Sequence, residues 1–234
     1  RILFMNTNKG TIYTSEDILK NIARKIETLE FKPGSKISEN EIAQTYQVSR
    51  TVVRSAFAIL REWGLIEVYP QRGTYITKIN VAYIRDMQFV RNAVETAVMK
   101  EVMKKKDKDQ LLTVLQKNLK EQEKFKHLKK YEDEFFRLDE SFHRAFMDFI
   151  HRENIPEIIN LNIQNIQFRR WRYLEVETLV LMEKIIEQHT CIYEAVKKGD
   201  ERQAVEVLQE HLLTASQTSF NIWEKYPDFF VHTA

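Results

Sequence analysis

The spacing of hydrophobic and polar positions changes character twice along the chain, and each change predicts a different kind of element. From Ser38 to Leu60 apolar residues recur three and four apart, the repeat of amphipathic helices. Ser38-Glu39-Asn40-Glu41-Ile42-Ala43 opens a short helix, with Ser38 as N-cap and Glu41, three residues on, completing a capping box. Tyr46-Gln47-Val48 reads as a tight connector to a second helix, Ser49 to Leu60, which turns Val53, Phe57 and Leu60 inward. That leaves Arg50, Thr51 and Arg54 outward. After Gly64, which fits a helix C-cap, the period drops to two. Leu65 to Tyr69 and Thr74 to Thr77 alternate as strands, joined through Pro70-Gln71-Arg72-Gly73 into a hairpin with a basic tip.

Past Asn80 the helical period returns and holds to the end of the chain. It predicts six amphipathic helices, over Val81–Lys104, Lys108–Phe125, Tyr131–His151, Pro156–Leu174, Thr178–Lys198 and Glu201–Trp223. Pro156 fits a helix start, Lys198-Gly199-Asp200 ends one helix and caps the next, and Pro227 stops the last. The expected fold is therefore mostly α: an N-terminal winged helix-turn-helix over residues 11–79 and an antiparallel six-helix bundle over residues 81–230.

Composition refines this picture at two points. The chain has 234 residues, 43% of them hydrophobic, enough for two cores. The net charge of +2 says little by itself, but its distribution says more. Residues 1–80 hold twelve Lys and Arg against eight Asp and Glu, whereas residues 81–234 hold twenty-four against twenty-six. Four of the five glycines also lie in residues 1–80, which places the boundary near Asn80. No apolar run approaches the roughly eighteen residues that span a bilayer, and the first residues lack the order of a signal peptide. A single cysteine, Cys191, cannot form an internal disulfide and is expected as a small buried residue. These features predict a cytoplasmic protein with no membrane partner.

Two short helices, an outward-facing Arg50-Thr51-x-x-Arg54 and a basic hairpin tip suit double-stranded DNA. The first turns of such a second helix enter the major groove, where Arg bonds a guanine edge or a phosphate. The residues also carry a family resemblance. Lys32-Pro33-Gly34-Ser35-Lys36-Ile37-Ser38-Glu39, Val48-Ser49-Arg50, Val53-Arg54, Gly64-Leu65-Ile66 and Arg72-Gly73-Thr74-Tyr75-Ile76 resemble, in order and spacing, the winged helix of GntR-type bacterial regulators. The resemblance implies contacts to operator bases and phosphates from Arg50 and Arg54, and minor-groove contacts from Arg72 and Gly73; Ser49 and Thr51, in the same first turn, are expected to bind DNA beside them. Asn40 stands where some members have a DNA-contacting arginine, and Val52 replaces the usual proline.

The helical region adds a second chemistry. Asp139 and His143 are four apart and share a helical face with Phe135, Phe142, Phe146 and Ile150. A carboxylate and an imidazole taken into an apolar face need compensation. His189 lies likewise among Ile185, Ile186, Ile192 and Tyr193, and His211 among Val207, Leu208, Leu212 and Ala215. His127, His151 and His232 fall in charged or terminal stretches and are expected at the surface. Three imidazoles and one carboxylate suit Zn²⁺, Ni²⁺, Mn²⁺ or Fe²⁺. The alternative is that Asp139 simply bonds His143 or a neighbouring helix. A diiron reading of Glu140-Ser141-Phe142-His143 lacks a second Glu-x-x-His, and Glu140 points off the apolar face.

Asp-x-x-x-His followed by two spaced histidines resembles the FCD ligand-binding domain of the FadR-type branch of the GntR family, in its six-helix, VanR-like form. The resemblance implies a divalent metal on Asp139, His143, His189 and His211. It also implies a small organic acid bound with help from Arg91, which the helical repeat places on the inward face beside Met87, Val94 and Val98. The competing reading of Arg91 is an internal pair with Glu95. Arg169, Arg170 and Arg172 could contribute to binding the acid, but on a helix this polar they are expected to face solvent. Together these features predict a ligand-responsive regulator without catalysis, a homodimer on a pseudo-palindromic operator. The alternatives are a metal-dependent hydrolase, a purely structural metal and an acyl-thioester effector.

Overall fold

The computed structural model describes residues 13–128, 133–159, 162–178, 181–217, 222 and 224–231. The chain divides into two compact units, Arg1–Ile79 and Asn80–Ala234.

The first unit starts with a helix absent from the sequence expectation, α1 (Ser15–Glu27). It is closed at its N-terminus by a reciprocal capping box between Thr14 and Asp17. Its Ile18, Ile22 and Ile26 are fully buried, which explains why this segment is required in the core. α2 (Glu39–Tyr46) and α3 (Arg50–Glu62) follow. Ser38 caps α2 by accepting the Glu41 amide at 3.5 Å, so the Ser38 half of the expected box is present. The connector turns because Gln47 takes a left-handed conformation, φ 54°. At the end of α3, Gly64 is also left-handed, φ +66°; its amide bonds Arg61 O and the next amide, of Leu65, bonds Leu60 O. That pair of bonds is a Schellman motif.

β2 (Ile66–Tyr69) and β3 (Gly73–Ile76) form the wing, with Glu67 opposite Tyr75 and Val68 opposite Thr74. A two-residue strand, β1 (Lys36–Ile37), joins the free edge of β3 and completes an antiparallel sheet of order β1-β3-β2. Two residues are too few to leave a period-two signature, so this strand was not expected.

In the second unit the described helices are α4 (Val81–Met103), α5 (Asp109–Gln122), α6 (Asp133–Phe149), α7 (Ile155–Ile159), α8 (Asn162–Thr178), α9 (Leu181–Lys198) and α10 (Glu201–Gln217). The single helix expected over Pro156–Leu174 is thus two, a one-turn α7 holding Pro156 and a long α8. Tyr131, Trp223 and His232, named in the expected spans and surface set, lie outside the described residues. Gly199, φ +77°, ends α9, and Asp200 Oδ1 accepts the Gln203 amide at 3.0 Å to cap α10. The main core joins Val98 and Val102 of α4, Leu115 of α5, Phe142 and Phe146 of α6, Ile192 and Val196 of α9 and Leu208 of α10. A smaller cluster holds Phe135, Phe136, Met182, Ile185 and Ile186. Among the described residues no helix is long and apolar enough to cross a membrane.

Candidate metal centre and nucleic-acid interface

Arg50, Thr51 and Arg54 are exposed on the first turns of α3, where the helical period placed them, and Val53, Ala56, Phe57 and Leu60 are buried beneath. Ser49 caps the helix by accepting the Val52 amide at 3.5 Å. Glu39, at the start of α2, faces both arginines: its Oε2 lies 3.4 Å from Arg54 Nη2 and 3.9 Å from Arg50 Nη2. These are exposed pairs, worth little in stability. Their consequence is local charge, since one carboxylate partly screens both guanidiniums until something else takes them. Arg72 is exposed at the wing tip, beside a left-handed Gln71. Gly73 has φ +113°, and a Cβ there would come within 2.7 Å of the Lys36 side chain.

The second site is interior. Asp139 and His143 of α6, His189 of α9 and His211 of α10 are all buried, and one ligand atom from each lies within 4.8 Å of the others. Four apart on α6, Asp139 and His143 are brought to one side of the helix, and the packing of α9 and α10 supplies the rest. Nε2 of His211 stands 3.1 Å from Nε2 of His143 and 3.3 Å from Nε2 of His189. Asp139 Oδ1 is 3.7 Å from His189 Nε2 and 3.9 Å from Arg172 Nη2, yet accepts no hydrogen bond among the described residues.

The opposite ring nitrogens explain this convergence. His143 Nδ1 meets Glu95 Oε2 at 2.6 Å, His189 Nδ1 meets Gln122 Oε1 at 2.9 Å, and His211 Nδ1 meets Gln188 Oε1 at 3.0 Å. Each partner atom is an acceptor, so each Nδ1 carries the proton and each Nε2 presents a lone pair. The orientation of Gln122 is itself fixed: its Nε2 donates to Asn118 Oδ1 at 2.5 Å, and Asn118 Nδ2 donates to Leu138 O at 3.0 Å. Three imidazole lone pairs and a buried carboxylate oxygen therefore face one point with no donor among them. That arrangement is unfavourable for the protein alone and fits a divalent cation of the N/O-binding kind.

The electrostatics agree. Burial pushes His189 down to about 3, and burial together with its histidine neighbours holds His211 well below the usual imidazole range, so both are neutral and ready to ligate at neutral pH. Burial opposes ionisation of Asp139, but the nearby positive charges, Arg172 foremost and Arg91 with it, outweigh it and the carboxyl is held below the usual range. Glu95 behaves alike: despite burial, Arg91 and His143 hold it at about 2.

Arg91 donates its Nε–H to Glu95 at 2.5 Å, which is the internal pair weighed against an effector role. It also lines a cavity of about 450 Å³ that reaches Asp139 and His143. Two expectations are corrected here. Arg170 and Arg172 are buried rather than solvent-facing, because α8 lays them across the interior, where Arg172 approaches Asp139. Cys191 is exposed, because two residues beyond the buried His189 on a helix lies on roughly the opposite side from it. Glu140 lies off the ligand cluster and meets Arg169 at 3.3 Å. His127 and His151 are at the surface. Sequence reasoning missed Asn118, Gln122 and Gln188; neutral amides on amphipathic helices carry no signal that separates a buried acceptor from a solvated one.

Comparison with known proteins places each site within a matched family domain. Residues 14–76 match the gntR family of bacterial regulatory proteins, and residues 86–214 match the FCD domain. The HTH-type transcriptional repressor RspR of Escherichia coli K12 is 30% identical over 218 residues, covering 92% of this chain and 93% of its own. An HTH-type transcriptional regulator of Streptomyces ambofaciens is 31% identical over 218 residues, covering 93% and 90%. Among solved structures, a GntR transcriptional regulator from Rhodococcus sp. RHA1 has a TM-score of 0.65 at 22% identity, covering 91% of this chain and 98% of its own. Escherichia coli McbR/YncC has a TM-score of 0.61 at 18% identity, covering 92% and 100%. At those identities the structures show a shared fold. The chain belongs to the GntR family, as a DNA-binding transcriptional regulator with a winged helix-turn-helix domain followed by an FCD domain.

Proposed function

We propose that this regulator changes its hold on operator DNA in response to a small carboxylate received beside a divalent transition metal in its helical domain. The observation that carries the reading is the convergence of the three Nε2 atoms of His143, His189 and His211 on one point with Asp139 Oδ1, every Nδ1 being tied to an acceptor. Asp139, His143, His189 and His211 would hold the ion, with Zn, Ni, Mn and Fe all compatible with the donor set. When bound, the metal supplies a Lewis-acidic point to which a carboxylate can coordinate. Arg91, at the edge of the same cavity, supplies a guanidinium for it.

The reading is regulatory and not catalytic. Glu95, the carboxylate that bonds His143, is held at about 2 by its neighbours, far from the pKa of a general base working near neutral pH. It also has both oxygens committed, one to Arg91 and one to His143.

On DNA, Ser49, Arg50, Thr51 and Arg54 would address the major groove and Arg72 and Gly73 the minor groove, from two copies of the chain on a pseudo-palindromic site. The acid would alter DNA affinity only as far as it binds the DNA-competent and DNA-incompetent arrangements differently. The chain is read as cytoplasmic, and as a repressor on the likeness to RspR.

The test is DNA affinity on fragments selected from genomic DNA, measured with wild type and Arg91→Gln, metal-loaded, across a panel of small carboxylates. The account expects at least one acid to shift wild-type affinity and the shift to vanish in Arg91→Gln. No shift with any acid, or an equal shift in the variant, overturns it.

A further inference from the structure

The cavity beside the candidate metal centre has two unlike ends. Its closed end is formed by buried Glu95, Asp139 and His143, with Arg91 above them. Among the described residues Arg91 hydrogen-bonds only through Nε, to Glu95, so both Nη groups are available to an incoming acceptor. Its guanidinium carbon sits 5.7 Å from the centre of the Phe168 ring.

The rest of the wall is largely apolar. Met87 and Val90 of α4, Phe136 of α6, Ile158 of α7 and Phe168 of α8 line it, and Val90 and Ile158 are 47% and 69% exposed. At about 450 Å³ the space falls within the range of roughly 300–1,000 Å³ of small-molecule sites. The charged groups on the outer side do not favour a second anion: Asp86 is acidic, Glu140 is paired with Arg169 at 3.3 Å, and Arg144 lies 3.6 Å from Asp148. Along Met87, Val90, Phe136, Ile158 and Phe168 a polyhydroxylated or doubly charged body would set polar groups against apolar side chains, which is unfavourable.

Resting on the reading of this domain as carboxylate-responsive, we propose that the cavity is built for a monocarboxylate with an apolar body. The carboxylate goes to Arg91 and the metal end; the body lies along Met87, Val90, Phe136, Ile158 and Phe168. This narrows the effector to acids with one charged end and ranks sugar acids and short dicarboxylates below them.

The experiment is calorimetric titration of the metal-loaded full chain with two matched pairs, hexanoate against adipate and benzoate against phthalate, and with hexanamide and benzamide. Each acid pair differs by one carboxylate, and each amide removes the charge. The expected result is that one monocarboxylate binds roughly tenfold or more tightly than its dicarboxylate and its amide. A dicarboxylate that binds as well or better, as it would by bridging Arg91 and Arg144, overturns the apolar-body inference and leaves the carboxylate reading standing. No binding by any of the six overturns the apolar-body inference and leaves the carboxylate reading to its own test; an amide that equals its acid removes the carboxylate reading and this inference with it.

Discussion

Glu95 Oε2 lies 2.6 Å from His143 Nδ1, and the other oxygen of the same carboxylate takes the Nε–H of Arg91. One buried side chain of α4 therefore touches both a candidate metal ligand and the arginine proposed to receive the effector. A carboxylate on Nδ1 fixes the ring's tautomer and raises the basicity of Nε2. Glu95→Gln keeps the shape and removes the charge. Its metal affinity, by competition with a chelator, should fall by about 10–100-fold. Unchanged affinity would mean that the contact only packs.

The buried histidines make the metal-free protein sensitive to acid. Burial keeps His189 at about 3, whereas the unfolded chain protonates it near 6.5. The unfolded state therefore binds a proton below about pH 6.5 that the folded state refuses, so stability is complete above 6.5 and falls as the pH drops toward about 3. His211, lowered for the same reason, acts in the same direction. Each contributes a slope of at most about 1.4 kcal/mol per pH unit. Glu95, held at about 2, adds a further loss that begins only near its ordinary value of 4.5. Urea titrations of chelator-treated protein between pH 7 and pH 5 should show this decline, and His189→Gln should make it shallower. An equal decline in the variant contradicts the assignment.

On the DNA face, Arg50→Ala should weaken operator binding by about 1–3 kcal/mol and reduce discrimination against random DNA. Glu39→Gln should act oppositely on random DNA, because it removes the carboxylate that screens Arg50 and Arg54. Affinities measured at several salt concentrations check both, and neither variant should alter metal content. If Glu39→Gln leaves random-DNA affinity unchanged, the screening has no weight.

Gly64 sits at φ +66° in open space, so its constraint is conformational rather than steric. Gly64→Ala should destabilise the first unit by about 1–2 kcal/mol, the cost of a side chain in the left-handed region. Chemical denaturation reads this directly; a neutral result would mean that the Schellman turn relaxes at no cost.

Local, strictly spaced features were the legible ones. The turn between α2 and α3, the wing and the Asp139/His143 pair each depend on residues within a few positions, where period and capping chemistry speak. His189 and His211 were legible because an imidazole amid isoleucines and leucines contradicts its surroundings. Long-range pairings were not legible. Gln122 and Gln188 are ordinary helix residues until their distance from an imidazole is known. Arg172 reads as solvated because its charge gives no hint that Asp139 lies on a facing helix, and Arg170 because nothing local marks it as buried. The two-residue β1 is defined by its pairing with β3 and by nothing in its own two side chains.

The most direct test is elemental analysis of untagged protein purified without chelator, beside a His143→Ala/His211→Ala variant whose folding is checked by circular dichroism. The account predicts about one equivalent of a transition metal per chain in the wild type and none in the folded variant. A wild type that stays metal-free after incubation with Zn²⁺, Ni²⁺, Mn²⁺ and Fe²⁺ would contradict it, and the inward histidines would then serve packing alone.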